Sequence, residues 1–511
     1  MRFLLIMSLL VLLPSSSFFL PAYLNQILAK GEHSQAQLAY ALRADLPAAW
    51  RFELKQARYG SSSWLALSEK LAISDAGVAV ELANYYQAQL KLPEAGDTYR
   101  RQAVFWYQQG IRLGSPKARL ALAQFYFDAD QLLQAQSTAR DGLDISRFNA
   151  ETPKVKHALL RLLAKTAIAR GETDEIQGYL PLLELSGPGR ELAADIKRFQ
   201  VLASGTAQVP AGGAACPASI QLFATRIGHL HYLEQLIDGV EAGPLAPFVC
   251  FAPVRYRRLQ ALACREDTLS ENGYQAKKRR AISCREALWR QDAGSIPSRF
   301  LGVLLPQGGA NVHLGILYID SKDSLDVFTH ELSHLLGFVD EYPLPAHHNR
   351  CSSVQQAPFA HNLAVLAEYY RGERRQVRAR VLRQLPWRGQ ILDDTPILQA
   401  QGKGWRLGTP AEYAKRVGVF PARSCDRQKP QAFKPLSGRT KLAYYEEAFP
   451  QAYLQRLAAR PYDYLMPSFH YNIALALFLQ DELAQAKYWL EQSALWETDP
   501  GRKAKILAGD F

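Results

Sequence analysis

From about residue 33 to residue 200 apolar positions recur at helical spacing, and Ala occupies the places where paired helices approach most closely. Leu82-Ala83-Asn84-Tyr85-Tyr86 is followed 40 residues on by Leu122-Ala123-Gln124-Phe125-Tyr126, and after another 41 by Leu163-Ala164. A recurrence of this length predicts helical hairpins stacked in an array, with Leu and aromatic side chains filling the grooves between neighbours. Segment 201–217 is rich in Gly, Ala and Pro without apolar periodicity, which predicts a linker. Beyond it the period changes. Phe248 to Phe251 and Val303 to Leu305 read as strands, and Asn311 to Asp320 alternates as another. From Asp323 to Leu336 the spacing of Leu325, Phe328, Leu332, Leu335 and Leu336 predicts a helix. Residues 218–470 therefore form a mixed section carrying an insertion at 343–460. Over 471–511, Ile473, Ala474, Leu477 and Phe478, then Ala484, Ala486, Trp489 and Leu490, predict one more hairpin, which must find a surface on which to bury its apolar face. The expected fold class is multidomain α and α+β.

The chain has 511 residues, 48% hydrophobic and 21% charged, a globular composition with room for several domains. The one run approaching membrane-spanning length is at the extreme N-terminus. Arg2, the apolar stretch Phe3 to Leu13, Pro14 and Ser15 to Ser17 form a signal-peptide pattern over 1–17, with cleavage near Phe18; the apolar Phe18 to Leu24 alternatively retains the segment as an anchor. Six cysteines, all after residue 215 and none in a CxxC pair, fit disulfides in an exported chain. Neighbour pairing joins Cys264 to Cys284 and Cys351 to Cys425. The expected location is periplasmic or envelope-associated.

Lys plus Arg (60) exceed Asp plus Glu (48), giving a net charge of +12. Part of the excess lies in the insertion, on a basic helix with Arg371, Arg374, Arg375, Arg378, Arg380, Arg383 and Arg388 near Trp387. A solvated face is the plain reading; an anionic envelope lipid, a polyanion or an acidic protein are the alternatives. Export argues against nucleic acid, the Lys277-Lys278-Arg279-Arg280 run notwithstanding.

The chemistry is concentrated in Phe328-Thr329-His330-Glu331-Leu332-Ser333-His334-Leu335-Leu336-Gly337-Phe338-Val339-Asp340-Glu341-Tyr342. HExxH on a helix sets His330 and His334 one turn apart on one face, where both imidazoles reach one ion, with Glu331 beside them as a base. Gly337 can end the helix in a left-handed conformation and return the chain so that Asp340 becomes the third ligand. Glu341 competes for that role, and Glu368 would take it in a gluzincin-like arrangement. Two His and one carboxylate leave a fourth tetrahedral zinc position open, as catalysis requires. Satisfied core histidines and a purely structural zinc are the competing readings. Ser333 has no GxSxG elbow and suggests no triad; His347 and His348 follow on a loop.

The motif resembles that of metzincin-type zincin peptidases, HExxHxxGxxH, with Asp340 at the usual third-His position. It is similar to the snapalysin-like Asp variants and to the immunoglobulin-A peptidase family. The resemblance implies a zinc metallopeptidase acting on proteins or peptides, with Leu314 to Ile319 as the edge strand along which substrate aligns. It also implies a Met-turn at Tyr464-Leu465-Met466-Pro467-Ser468, and Tyr342 or Tyr471 as oxyanion donor. The array from 33 to 200 resembles Sel1-like and tetratricopeptide repeats, with Ala103-Val104-Phe105-Trp106-Tyr107 and Gly114 at the matching places, which implies a protein partner. The C-terminal hairpin is similar to one tetratricopeptide unit. Two further readings stay open: a repeat scaffold with a non-catalytic zincin domain, and a hydrolase acting on peptidoglycan peptides.

Overall fold

The computed structural model describes residues 19–90, 92, 96–145, 153–199, 201–202, 216–268, 280–345, 348–426 and 428–510. The signal-like segment 1–17, most of the linker, Lys277 to Arg279 and His347 lie outside the described residues. The chain is mixed α and α+β, in two compact units that divide between Ala193 and Ala194.

In the first unit consecutive helices pack on one another. Their starts are set locally: Ser34 closes a capping box with Gln37, Asp75 accepts from the N–H groups of Gly77 and Val78, and Pro47 and Pro116 stand at first helical positions. The recurring Leu-Ala pairs fall in the helices Ala76–Gln89, Pro116–Asp128 and Pro153–Arg170, and all six side chains are buried. Trp106 and Tyr107 from the helix Asp97–Arg112 fill the space between Leu82 and Leu122. A Cβ on Gly110 would lie 2.8 Å from that of Ala118, so the absence of a side chain there allows the helix crossing, and Gly114 ends the helix at φ 81°. The helix Leu20–Lys30 turns Leu24, Ile27 and Leu28 into a small core with Ala41 and Ala49. Among the described residues no helix is long and apolar enough to cross a membrane.

The second unit is built on a sheet in which β1 (Ala218–Ala224), β2 (Val249–Phe251), β6 (Phe300–Leu305), β7 (Asn311–His313) and β8 (Ile316–Asp320) lie in the order β2-β1-β6-β8-β7, with β3 (Arg255–Tyr256) also on β1, while β4 (Arg265–Thr268) and β5 (Arg280–Ser283) form a separate antiparallel pair. The strands are parallel except β7, which runs antiparallel at the edge. The expected single strand from Asn311 to Asp320 is thus a hairpin: Leu314 and Gly315 take φ 42° and 84° and reverse the chain in a two-residue turn. The Leu314 to Ile319 run is consequently not the edge. β8 is interior and wholly buried, and the edge is β7 before it.

One sheet face, with Leu301, Val303, Ile316 and Tyr318, is covered by Trp289 and by Phe469, Ile473, Leu477 and Ala486. The last four come from the helices Phe469–Phe478 and Leu483–Ala494, followed by a third, Pro500–Ala508, so the expected terminal hairpin finds its apolar partner on this sheet. On the opposite face the helix that carries the HExxH motif, Leu325–Leu335, packs beside the helix Leu230–Glu241, where a Cβ on Gly239 would meet Leu325 at 2.6 Å.

The insertion has its own core around Val377, Val381, Trp387 and Phe433. Its basic helix, Arg374–Gln384, buries Val377 and Val381, while Arg374 lies over Trp405, Arg380 over Tyr370, and Arg378 donates to the Thr395 carbonyl. Three disulfides, Cys216–Cys250, Cys264–Cys284 and Cys351–Cys425, leave no free cysteine and fit an oxidising, exported setting.

Candidate metal centre

The HExxH helix starts at Ser324, whose hydroxyl accepts from the Val327 N–H, and its apolar side chains Phe328, Leu332 and Leu335 are buried. Spacing of four residues brings His330 Nε2 and His334 Nε2 to 3.1 Å of each other. Gly337, at φ 88°, reverses the chain, and Asp340 Oδ1 arrives 3.1 Å from His330 Nε2 and 3.3 Å from His334 Nε2. These three residues are a group able to hold a metal ion.

Whether zinc fits can be judged from the donors themselves. Bonds of about 2.0–2.1 Å at tetrahedral angles separate ligand atoms by about 3.3–3.4 Å, close to the observed triangle. The outer ring nitrogens fix the tautomers: His330 Nδ1 meets the Lys441 carbonyl at 2.9 Å and His334 Nδ1 meets the Phe338 carbonyl at 3.1 Å. An Nδ1–H donating to each carbonyl leaves both Nε2 lone pairs facing the Asp340 carboxylate, three acceptors without a hydrogen between them. Asp340 Oδ1 is buried without a hydrogen-bond donor. Such a group needs a proton or a cation. Burial by itself lowers His334, but the carboxylates of Asp340 and Glu331 outweigh it and push the imidazole up to about 9. Burial likewise opposes ionisation of Asp340, yet the two imidazoles hold its carboxyl well below the usual range. A divalent ion answers the same demand, and the residues present fit zinc.

Glu331 is buried on the adjacent helix position, and burial, opposed by the two histidines, raises its pKa. Around His330 stand two aromatic rings, Tyr342 stacked at 6.4 Å between centroids and Tyr445 edge-on at 4.6 Å. Tyr471 packs with Ala494, Ile506 and Leu314 in a small core. The other acids expected as ligands have different employment. Glu341 is buried, accepting from Asn362 Nδ2 (3.0 Å), Lys434 Nζ (2.8 Å), Thr440 Oγ1 (2.7 Å) and the Tyr453 hydroxyl. Glu368 is exposed and pairs with Arg406.

Several groups that no motif announces hold this geometry. Ser424 Oγ donates to the Asp340 carbonyl at 2.6 Å, next to the Cys351–Cys425 bridge. Lys441, whose carbonyl orients His330, pairs through Nζ with Asp326 on the first turn of the HExxH helix. Met466 donates its N–H to the Leu335 carbonyl at 3.1 Å, and a Cβ on Gly337 would come within 2.5 Å of the Tyr464 carbonyl. A Cβ on Gly315 would meet the Pro467 carbonyl equally closely. The Tyr464 to Ser468 segment thus lies against both the end of the HExxH helix and the hairpin turn. It is clamped from behind: Arg299 donates to the Met466 carbonyl at 2.9 Å and pairs with Glu497, which also pairs with Arg502 at 2.9 Å, and Arg502 donates to the Leu465 carbonyl.

His334, Asp340, Met466 and the edge-strand residues Val312 and His313 line one cleft of about 1400 Å³. Compared with known proteins, the chain matches no family model, no curated sequence and no solved structure.

Proposed function

We propose that the second unit is a metzincin-type zinc metallopeptidase and that the first is a Sel1-like or tetratricopeptide-like array that engages a protein partner of an exported enzyme. The observation that carries the reading is the triangle of two imidazole nitrogens and one carboxylate oxygen, each imidazole pinned by a backbone carbonyl, beside a buried glutamate. The strand order with an antiparallel edge strand, and Met466 against the helix end, support the metzincin comparison.

His330, His334 and Asp340 would hold zinc, which when bound supplies Lewis acidity to a peptide carbonyl and acidifies water. Glu331, its pKa raised by burial, takes the proton of the attacking water and passes it to the leaving amine. β7 receives the substrate as an added strand: in a two-residue hairpin closed by His313 and Ile316, Val312 turns its N–H and C=O away from β8. Asn472 Nδ2, donating to the His313 carbonyl at 2.9 Å, fixes that edge. Zinc retention and peptide hydrolysis by Glu331→Gln test the assignment. The variant should keep its zinc and lose about 10²- to 10⁴-fold in turnover; near-normal hydrolysis would refute it.

A further inference from the structure

The cleft beside the metal ligands contains a cation that the proposed chemistry does not use. Arg299 and Arg502 are taken up by Glu497, Asp463 pairs with Arg456 at 2.8 Å, and Asp499 accepts from the Arg502 N–H. Arg350 and Lys505 line the same cleft, and among the described residues no carboxylate forms an ion pair with either; Lys505 is exposed on the helix Pro500–Ala508, whereas Arg350 shares its wall with His334 and Asp340 and has an aromatic support. Its guanidinium lies over the Phe359 ring at 5.0 Å. A guanidinium placed over an aromatic face can offer its edge N–H groups to a planar, two-oxygen acceptor. Its backbone is equally fixed. The turn Asn349–Cys351 is capped by the His348 ring, which accepts the Arg350 N–H at 3.2 Å, and is tied through Cys351 to Cys425, the neighbour of the Ser424 that holds Asp340. Metal-ligand loop and arginine therefore share one rigid support. With a divalent ion on the triad, the charge of Asp340 is already engaged, and the wall presents an uncompensated positive group.

Resting on the peptidase reading, we propose that Arg350 with Phe359 is a carboxylate-recognition subsite, so that the preferred substrate is a peptide carrying an acidic side chain or its free C-terminal carboxylate close to the scissile bond. A bidentate guanidinium–carboxylate contact selects for the charge and the planar geometry together, which a lysine would not reproduce.

The test uses binding rather than turnover. Peptide hydroxamates that differ only in Asp against Asn, and a second pair that differ only in a free C-terminal carboxylate against the carboxamide, are titrated calorimetrically into the zinc-loaded chain. The acidic member of at least one pair should bind about 10- to 100-fold more tightly. The ratio should fall toward one in Arg350→Gln, stay reduced in Arg350→Lys, and persist in Arg383→Gln, an exposed arginine outside the cleft, with the zinc content of each variant measured alongside. Preference in the first pair alone assigns an acidic side chain, and in the second alone the chain terminus. Tight binding of the neutral members without discrimination overturns the subsite and leaves the peptidase reading standing. A preference that survives Arg350→Gln belongs to another cation and also overturns it. Failure of every hydroxamate to bind the zinc-loaded chain overturns both.

Discussion

Glu341 stands beside Asp340 in the chain, and replacing it separates a structural carboxylate from the proposed metal ligand. All four of its partners donate: Asn362 Nδ2 and the Tyr453 hydroxyl to Oε1, Lys434 Nζ and Thr440 Oγ1 to Oε2. Burial and the facing carboxylate raise the Tyr453 phenol well above its ordinary pKa, so it remains a donor. Glu341→Gln preserves shape but supplies one acceptor oxygen and one NH₂, which must then face two donors. The side chains of Glu341 and Lys434 are 1% and 9% exposed, and the substitution removes the carboxylate charge from a buried ammonium whose other acceptor is the Gly438 carbonyl. Removing one partner of such a buried pair costs about 3–5 kcal/mol, on the order of 5–15 °C in a unit of this size. Thermal unfolding and zinc content of the folded variant are the assays. The expected result is a markedly less stable protein with zinc still bound at one per chain. Normal stability combined with lost zinc would make Glu341 the ligand and refute the account of the site.

Other substitutions probe the supports. Gly337→Ala places a Cβ against the Tyr464 carbonyl at a positive φ; denaturant unfolding should show a loss of about 2 kcal/mol or more. Glu497→Ala leaves the buried Arg299 unpaired and should cost about 3–5 kcal/mol by the same measurement. Replacing Cys351 and Cys425 by Ser opens a loop with a sequence separation of 74 residues. Chain entropy puts that cost at about 4 kcal/mol. Because Ser424 anchors Asp340, zinc affinity measured by competition with a chelator should fall as well.

The legible parts were those with periodic or fixed-spacing signatures. The Leu-Ala recurrence marks buried helix faces of the first unit, and Leu325, Phe328 and Leu332 mark the helix that carries HExxH. His330, His334 and Asp340 come together because helix pitch and one left-handed glycine determine the path between them. Asn311 to Asp320 reads as one strand in the sequence because alternation persists through a two-residue reversal. The signals for the reversal, Leu314 and Gly315, sit inside an apolar run. Glu341 could not be told from Asp340 by spacing, since what distinguishes them is Lys434, Thr440 and Tyr453, some 90 to 110 residues away. The Lys441 and Phe338 groups that orient the imidazoles are backbone carbonyls and leave no mark in side-chain identity. Arg350 is one more arginine in a basic chain, and only the structure shows that it lines the cleft without an ion pair.

The most direct test is elemental analysis for zinc of the purified chain and of its Asp340→Ala variant, each after dialysis against trace metal. The account predicts one zinc per chain in the unaltered protein, and loss or severe weakening in the variant, whose fold is verified by its circular dichroism. No zinc in the unaltered chain, or full occupancy without the Asp340 carboxylate, would contradict it.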